Sequence, residues 1–193
     1  MCFSFEVSLG SFAAVWGICI YLLKTRKFNK AERQNVIFLM IVSSMQLVDA
    51  VLWYIKMERN SINFFVTSYV LPALLSMQVF YNILIINEFY NPYAYLFLVV
   101  FTIYLFVRFR GYSVSLCENK LSSPIWANNE IHYWEIVLFA VAILYPSFSS
   151  IFITLFVIVP LIKIFVGGAY GSLWCAVVTL YAIKYLFYGP NTT

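Results

Sequence analysis

Apolar runs of roughly 17–25 residues follow one another along this chain, each ended by a short cluster of polar, Gly or Pro residues. A soluble core built from 193 residues has room for one such run, not for a series. Composition agrees: 63% of residues are hydrophobic and 10% charged, against about 45–50% and about 25% in soluble domains. The runs are too long and continuous for the alternating strands of an outer-membrane barrel. Helices also satisfy their own backbone groups, which lipid cannot do. The expected fold is therefore all-α, a polytopic transmembrane helix bundle forming one domain over residues 1–193.

Turn signals divide the chain into seven expected helices. The first runs from about Phe3 to Leu23, the second from about Asn35 to Lys56, and the third from about Ile62 to Glu88 with a kink expected at Pro72. Asn91-Pro92 opens the fourth, about Tyr93 to Phe109, and one long loop, about Arg110 to Glu130, follows it. The fifth is about Ile131 to Tyr145, the sixth about Phe148 to Val166, and the seventh about Ala169 to Tyr188. The fifth is short, so the fifth and sixth form either two crossings or one re-entrant hairpin.

Five of the twelve basic residues, Lys24, Arg26, Lys27, Lys30 and Arg33, lie in the first connection. Such a cluster marks the cytoplasmic side, and seven crossings then place the N-terminus outside and the C-terminus in the cytoplasm. Arg108, Arg110 and Lys120 fall on the outer side in this arrangement, against the rule. The dense first connection outweighs them, because charge beside the first helix dominates orientation. The first segment lacks a basic leader and a small-residue cleavage site, and is read as a retained helix.

Asp49 lies inside the second apolar run. A carboxylate there costs a few kcal/mol or more unless it is paired, protonated or wetted. Gln46, Asp49 and Trp53 are spaced i, i+3, i+7 and share one helical face. Gln78 and Asn82, spaced i, i+4, share a face of the third helix. Ser-Met-Gln occurs in both helices, ending at Gln46 and at Gln78, and an amide contact between the two is expected. Glu6 and Glu135 fall at the same end of the bundle as Asp49. Converging carboxylates would form an acidic, outward-facing cup suited to a proton, a metal ion or a cationic solute. The bland alternatives are side-chain amides joining helices, and acids that reach head-group water.

Several chemistries are excluded. One histidine cannot build a His-rich zinc site. The four cysteines show no CxxC pair; Cys19 and Cys175 are expected to pack as small hydrophobes, and Cys2 and Cys117 to lie together on the outer side. Lys163 and Lys184 sit near helix ends, where snorkelling explains them. No phosphate loop, haem ligand pair or serine–base pair is present. A cofactor, a bound metal and a nucleic-acid partner are not expected, and neither is an enzyme.

The opening Met1-Cys2-Phe3-Ser4 with Glu6 and Ser8, the run Met45-Gln46-Leu47-Val48-Asp49-Ala50-Val51-Leu52-Trp53, Gln78, and Gly171-Ser172-Leu173-Trp174-Cys175 resemble a family of uncharacterised small multi-pass membrane proteins of large DNA viruses and protists. That family usually has Glu at the position of Asp49, and Gln-Pro where this chain has Gln78-Val79. The resemblance implies no activity. It implies that Glu6, Gln46, Asp49, Trp53, Gln78 and Trp174 belong to one site; the residues themselves add Asn82 and Glu135.

The leading expectation is a small multi-pass transporter or channel-like protein with an intramembrane acidic and amide site for a cation, a proton or a small cationic solute. No repeat relates helices one to three to helices five to seven, which counts against a carrier of two related halves. The alternative is a non-catalytic receptor, sensor or assembly subunit of a larger membrane complex. The expected surroundings are the lipid bilayer, with a second copy or a membrane complex as partner.

Overall fold

The computed structural model describes residues 4–118, 121–128, 131–160 and 170–188. Seven helices account for most of them: α1 Phe5–Thr25, α2 Lys30–Tyr54, α3 Ser61–Ile86, α4 Pro92–Arg108, α5 Tyr133–Leu144, α6 Phe148–Ile158 and α7 Tyr170–Tyr188. Among the described residues α1, α2 and α3 are long and apolar enough to cross a membrane, while α4, α5 and α6 are shorter apolar helices.

Short polar side chains set the helix starts. Ser4 Oγ accepts from the Val7 N–H at 3.4 Å and Asn91 Oδ1 from the Ala94 N–H at 2.8 Å, each satisfying a donor the helix leaves open. Asn29 and Glu32 form a reciprocal capping box, both bonds 2.8 Å. This box starts α2 at Lys30 rather than near Asn35, so Lys30 and Arg33 of the basic connection are helical.

The expected kink at Pro72 takes another form. Residues Val66–Val70, immediately before it, make a π-helical turn, and Tyr81–Ile86 make a second. Proline has no N–H to give and its ring crowds the preceding turn. The wider turn carries the chain past it, and α3 continues.

α2 is the spine. Its Val36, Leu39 and Val42 pack with Val15 and Cys19 of α1 and Val178 and Ala182 of α7. Further along, Met45, Val48 and Leu52 enter a larger core with α3, α4, α5 and Trp126. Two contacts gather one end of the bundle. Arg26 Nη2 donates to the Leu186 carbonyl at 2.6 Å, and Lys30 Nζ meets Glu88 Oε1 at 2.5 Å.

At the other end, the described part of the expected long loop contains two strands. Strands β1 Val114–Glu118 and β2 Leu121–Ile125 pair antiparallel, with Val114 opposite Ile125. A tight turn, Trp126–Asn128, follows, with Ala127 and Asn128 in the left-handed region at φ 56° and 53°.

Candidate functional site

Asn63 fixes the loop that builds the site. Its Nδ2 donates to the carbonyls of Met57, Glu58 and Ser113 at 3.1, 3.0 and 2.9 Å. Its Oδ1 accepts from the Ser113 N–H at 2.9 Å and from Thr67 Oγ1 at 3.0 Å. Nearby, the Gly111 N–H donates to Ser68 Oγ at 3.0 Å. Asn63, Thr67, Ser68 and Ser113 are all buried. A buried polar network with its groups satisfied is rigid, and it clamps the start of the α4–α5 connection onto α3. Gly111, at φ +155°, comes close to Ala127, where an added Cβ would meet the Ala127 carbonyl at 3.6 Å.

Trp126 is thereby carried into the bundle. It packs edge-on to Phe109 with centroids 6.2 Å apart, and its Nε1 donates to Asp49 Oδ1 at 3.1 Å. Asp49 is 3% exposed. The acid is buried in the middle of the protein fabric, and one of its oxygens is held by the indole of a loop residue.

Gln46, one turn before Asp49, is also 3% exposed, and its Nε2 has no hydrogen-bond partner among the described residues. Gln78 is fully buried, and both its Nε2 and its Oε1 lack partners there. The expected Gln46–Gln78 amide contact is therefore not formed. Successive helical residues point about 100° apart. On α2 it is Met45, not Gln46, that shares a cavity with Gln78. Trp53 is half-buried, with its indole N–H enclosed and unpartnered among the described residues.

Asn82 joins helices. Its Nδ2 donates to the carbonyls of Ala142 at 2.9 Å and Tyr145 at 3.1 Å, and Asn87 Nδ2 reaches the same Tyr145 carbonyl at 3.1 Å. These bonds tie the second π turn of α3 to the end of α5.

The acidic cup does not form. Glu6 is exposed in the first turn of α1, where a negative charge is favoured by the helix N-terminus, and it does not face the interior. Glu135 is tied up in an ion pair. Arg108 Nε and Nη2 meet its Oε1 and Oε2 at 2.6 and 3.2 Å, the His132 N–H donates to Oε2 at 2.7 Å, and Tyr104 Oη donates to Oε1. Arg108, which strains the topology rule, is thus neutralised locally. No three His, Cys, Asp or Glu side chains converge among the described residues. Trp174 falls within α7, but its side chain, like those of Cys117 and Cys175, lies outside the described residues, as does Cys2.

A partly open cavity of about 120 Å³ lies between α3, α4, α5 and α6. Gln78, Phe101, Tyr104, Trp126, Phe139 and Thr154 line it with other, chiefly apolar, residues. Trp126 both lines this cavity and donates its N–H to Asp49. Sequence reasoning missed Trp126 and Asn63. The available signals were a Trp in an otherwise polar loop and an Asn beside the start of an apolar run. Comparison with protein-family models, curated proteins and solved structures finds no match for the chain.

Proposed function

We propose that the chain is a small, non-catalytic multi-pass transporter or channel-like protein, with seven membrane crossings and Asp49 as its functional charge. The carrying observation is the burial of that carboxylate within a helix able to span a bilayer, since intramembrane acids mark ion and proton paths. Trp126 occludes it, which suits a site awaiting access. The cargo is a proton or a small cation, because a single carboxylate and neighbouring amides offer acceptors for positive charge.

The orientation has support from the bundle ends. The basic connection, Glu88 and Leu186 lie together, as alternate crossings require, and Asn63, Trp126 and Asp49 lie towards the opposite end. On α4, Tyr93, Leu96, Val99, Val100, Ile103 and Val107 are exposed, an apolar face suited to lipid. We extend the same proposal to membership of the viral and protist family described above.

Reconstitution in liposomes tests this. Proton or monovalent-cation flux is expected in the wild type and lost in Asp49→Asn, with the fold retained. Absence of flux in the wild type would defeat transport. A receptor or sensor reading is the second one, favoured by the largely apolar cavity between α3, α4, α5 and α6.

A further inference from the structure

We propose that the connection between α1 and α2, with the adjoining end of α7, is a binding surface for the phosphate of anionic phospholipids in the leaflet beside it. This rests on the reading of the chain as a membrane protein and not on transport.

Charge is the first argument. Lys24, Arg26, Lys27, Lys30 and Arg33 are all exposed. Lys30 is balanced by Glu88 at 2.5 Å, and the other four have no ion-pair partner among the described residues. Glu32 lies in the same segment, but its Oε2 is turned onto the Asn29 N–H at 2.8 Å. Arg26 is pinned without being neutralised, because the Leu186 carbonyl that accepts from its Nη2 at 2.6 Å carries no net charge. At the opposite end, by contrast, the Arg108 guanidinium is matched by Glu135. Dense, unbalanced positive charge at a bilayer surface attracts anionic lipid. A zwitterionic head group suits it less, since it brings a cation of its own.

Depth is the second argument. α1 and α2 are each long and apolar enough to cross a bilayer, so their joined ends lie at head-group level. Ile20 of α1 is 40% exposed, and Lys24 stands one turn further along the same face, a rise of about 6 Å. An acyl chain lying along Ile20 brings its phosphate to the Lys24 ammonium. Phe187 and Tyr188, exposed and next to the carbonyl that holds Arg26, set aromatic rings at the same end, and such rings favour the membrane boundary. The connection runs only from Arg26 to Asn29 and is fixed at one end by the Leu186 bond and at the other by the Asn29–Glu32 capping box. Binding therefore has little backbone left to order.

The test is native mass spectrometry of the full chain released from detergent micelles, with dioleoyl phosphatidylglycerol or phosphatidylcholine added and the first bound lipid counted. One cation beside an anionic surface is worth about fivefold, so phosphatidylglycerol is expected to bind at least about fivefold more tightly. The triple variant Lys24→Gln, Lys27→Gln, Arg33→Gln spares the Lys30–Glu88 and Arg26–Leu186 contacts and should bring the two lipids within about twofold. Lys24→Arg with Lys27→Arg should keep the preference, as should Arg59→Gln with Arg110→Gln at the opposite end. In the wild type, raising salt from about 0.1 to about 1 M shortens the electrostatic reach from about 10 to about 3 Å and should shrink the preference. Equal binding of the two lipids by the wild type would overturn the proposal. So would a preference that survives the triple variant, or one lost equally in the Arg59→Gln, Arg110→Gln variant. Displacement of the lipid by an equal concentration of glycerol phosphate, the head group without its chains, would overturn the lipid assignment in favour of a soluble anion. Binding of neither lipid would overturn this proposal and the membrane reading together. Absence of flux in liposomes removes transport and leaves this surface in place.

Discussion

Trp126 and Asp49 stand 77 positions apart in the chain and are joined by a 3.1 Å hydrogen bond from indole Nε1 to carboxylate Oδ1. The bond ties the α4–α5 connection to the C-terminal part of α2, so the two halves of the site are not independent. The two partners should respond unequally to substitution. Asp49→Asn keeps an oxygen where the indole donates, and it relieves the cost of a buried charge. Its unfolding midpoint should hold or rise. Trp126→Phe removes the indole donor from a buried carboxylate and should cost about 1–3 kcal/mol. Combining Trp126→Phe with Asp49→Asn should recover part of that cost. Thermal unfolding in detergent, followed by circular dichroism, measures all three, and an equal loss in both single variants would show that the bond is not what matters.

Arg108 and Glu135 form a two-pronged ion pair with side chains only 16% and 10% exposed. Removing one member leaves the other buried and charged. Arg108→Ala should therefore destabilise by about 3–5 kcal/mol. The double replacement Arg108→Met with Glu135→Leu should return most of it, because well-packed apolar residues substitute for a buried pair at little net cost. The same unfolding assay decides, and a double variant no better than Arg108→Ala would contradict this account.

The Asn63 side chain makes five hydrogen bonds, four linking α3 to the preceding turn and to the α4–α5 connection and one, from Thr67, within α3. Asn63→Leu should lose about 3 kcal/mol or more, since several buried backbone groups are left without partners. Amide hydrogen exchange should quicken at Ser113 and around Trp126 before it quickens in α2. Uniform quickening across all helices would place the role of Asn63 elsewhere.

Orientation is open to direct labelling. In cells, Lys27→Cys and Glu88→Cys should react with an impermeant thiol reagent from the same side, and Arg110→Cys from the opposite one. The Lys30–Glu88 contact brings the first two ends together. Labelling of Lys27→Cys and Arg110→Cys from one side would refute the proposed crossings.

Much of the helical order is legible in the sequence because apolar run length and Asn, Ser and Pro punctuation are local signals. Asn91-Pro92 and Ser4 stand where helices begin. Burial of Gln46, Asp49 and Gln78 follows from helical phase and the cost of polar groups in apolar surroundings. The partners do not follow. Whether Glu135 meets Asp49 or Arg108 depends on how α4 and α5 lie together, and no spacing within either helix states that. The β-hairpin escaped for a related reason: strands of five residues beside Asn and Ser clusters carry little pattern. Trp126 became part of the site only because Asn63, 50 positions before Ser113, holds the connection down.

The two π turns of α3 act as phase setters for the residues that follow them. A π turn holds one residue more than the α turn it replaces. Closing Val66–Val70 into regular α-helix at unchanged length would rotate everything after it by about 100° relative to Asn63. Gln78 would swing off the cavity and Asn82 off the carbonyls of α5, although neither had been changed. The face that α3 presents is thus set by where its turns widen, and a variant that loses one residue between Val66 and Val70 while closing into regular helix should keep that face.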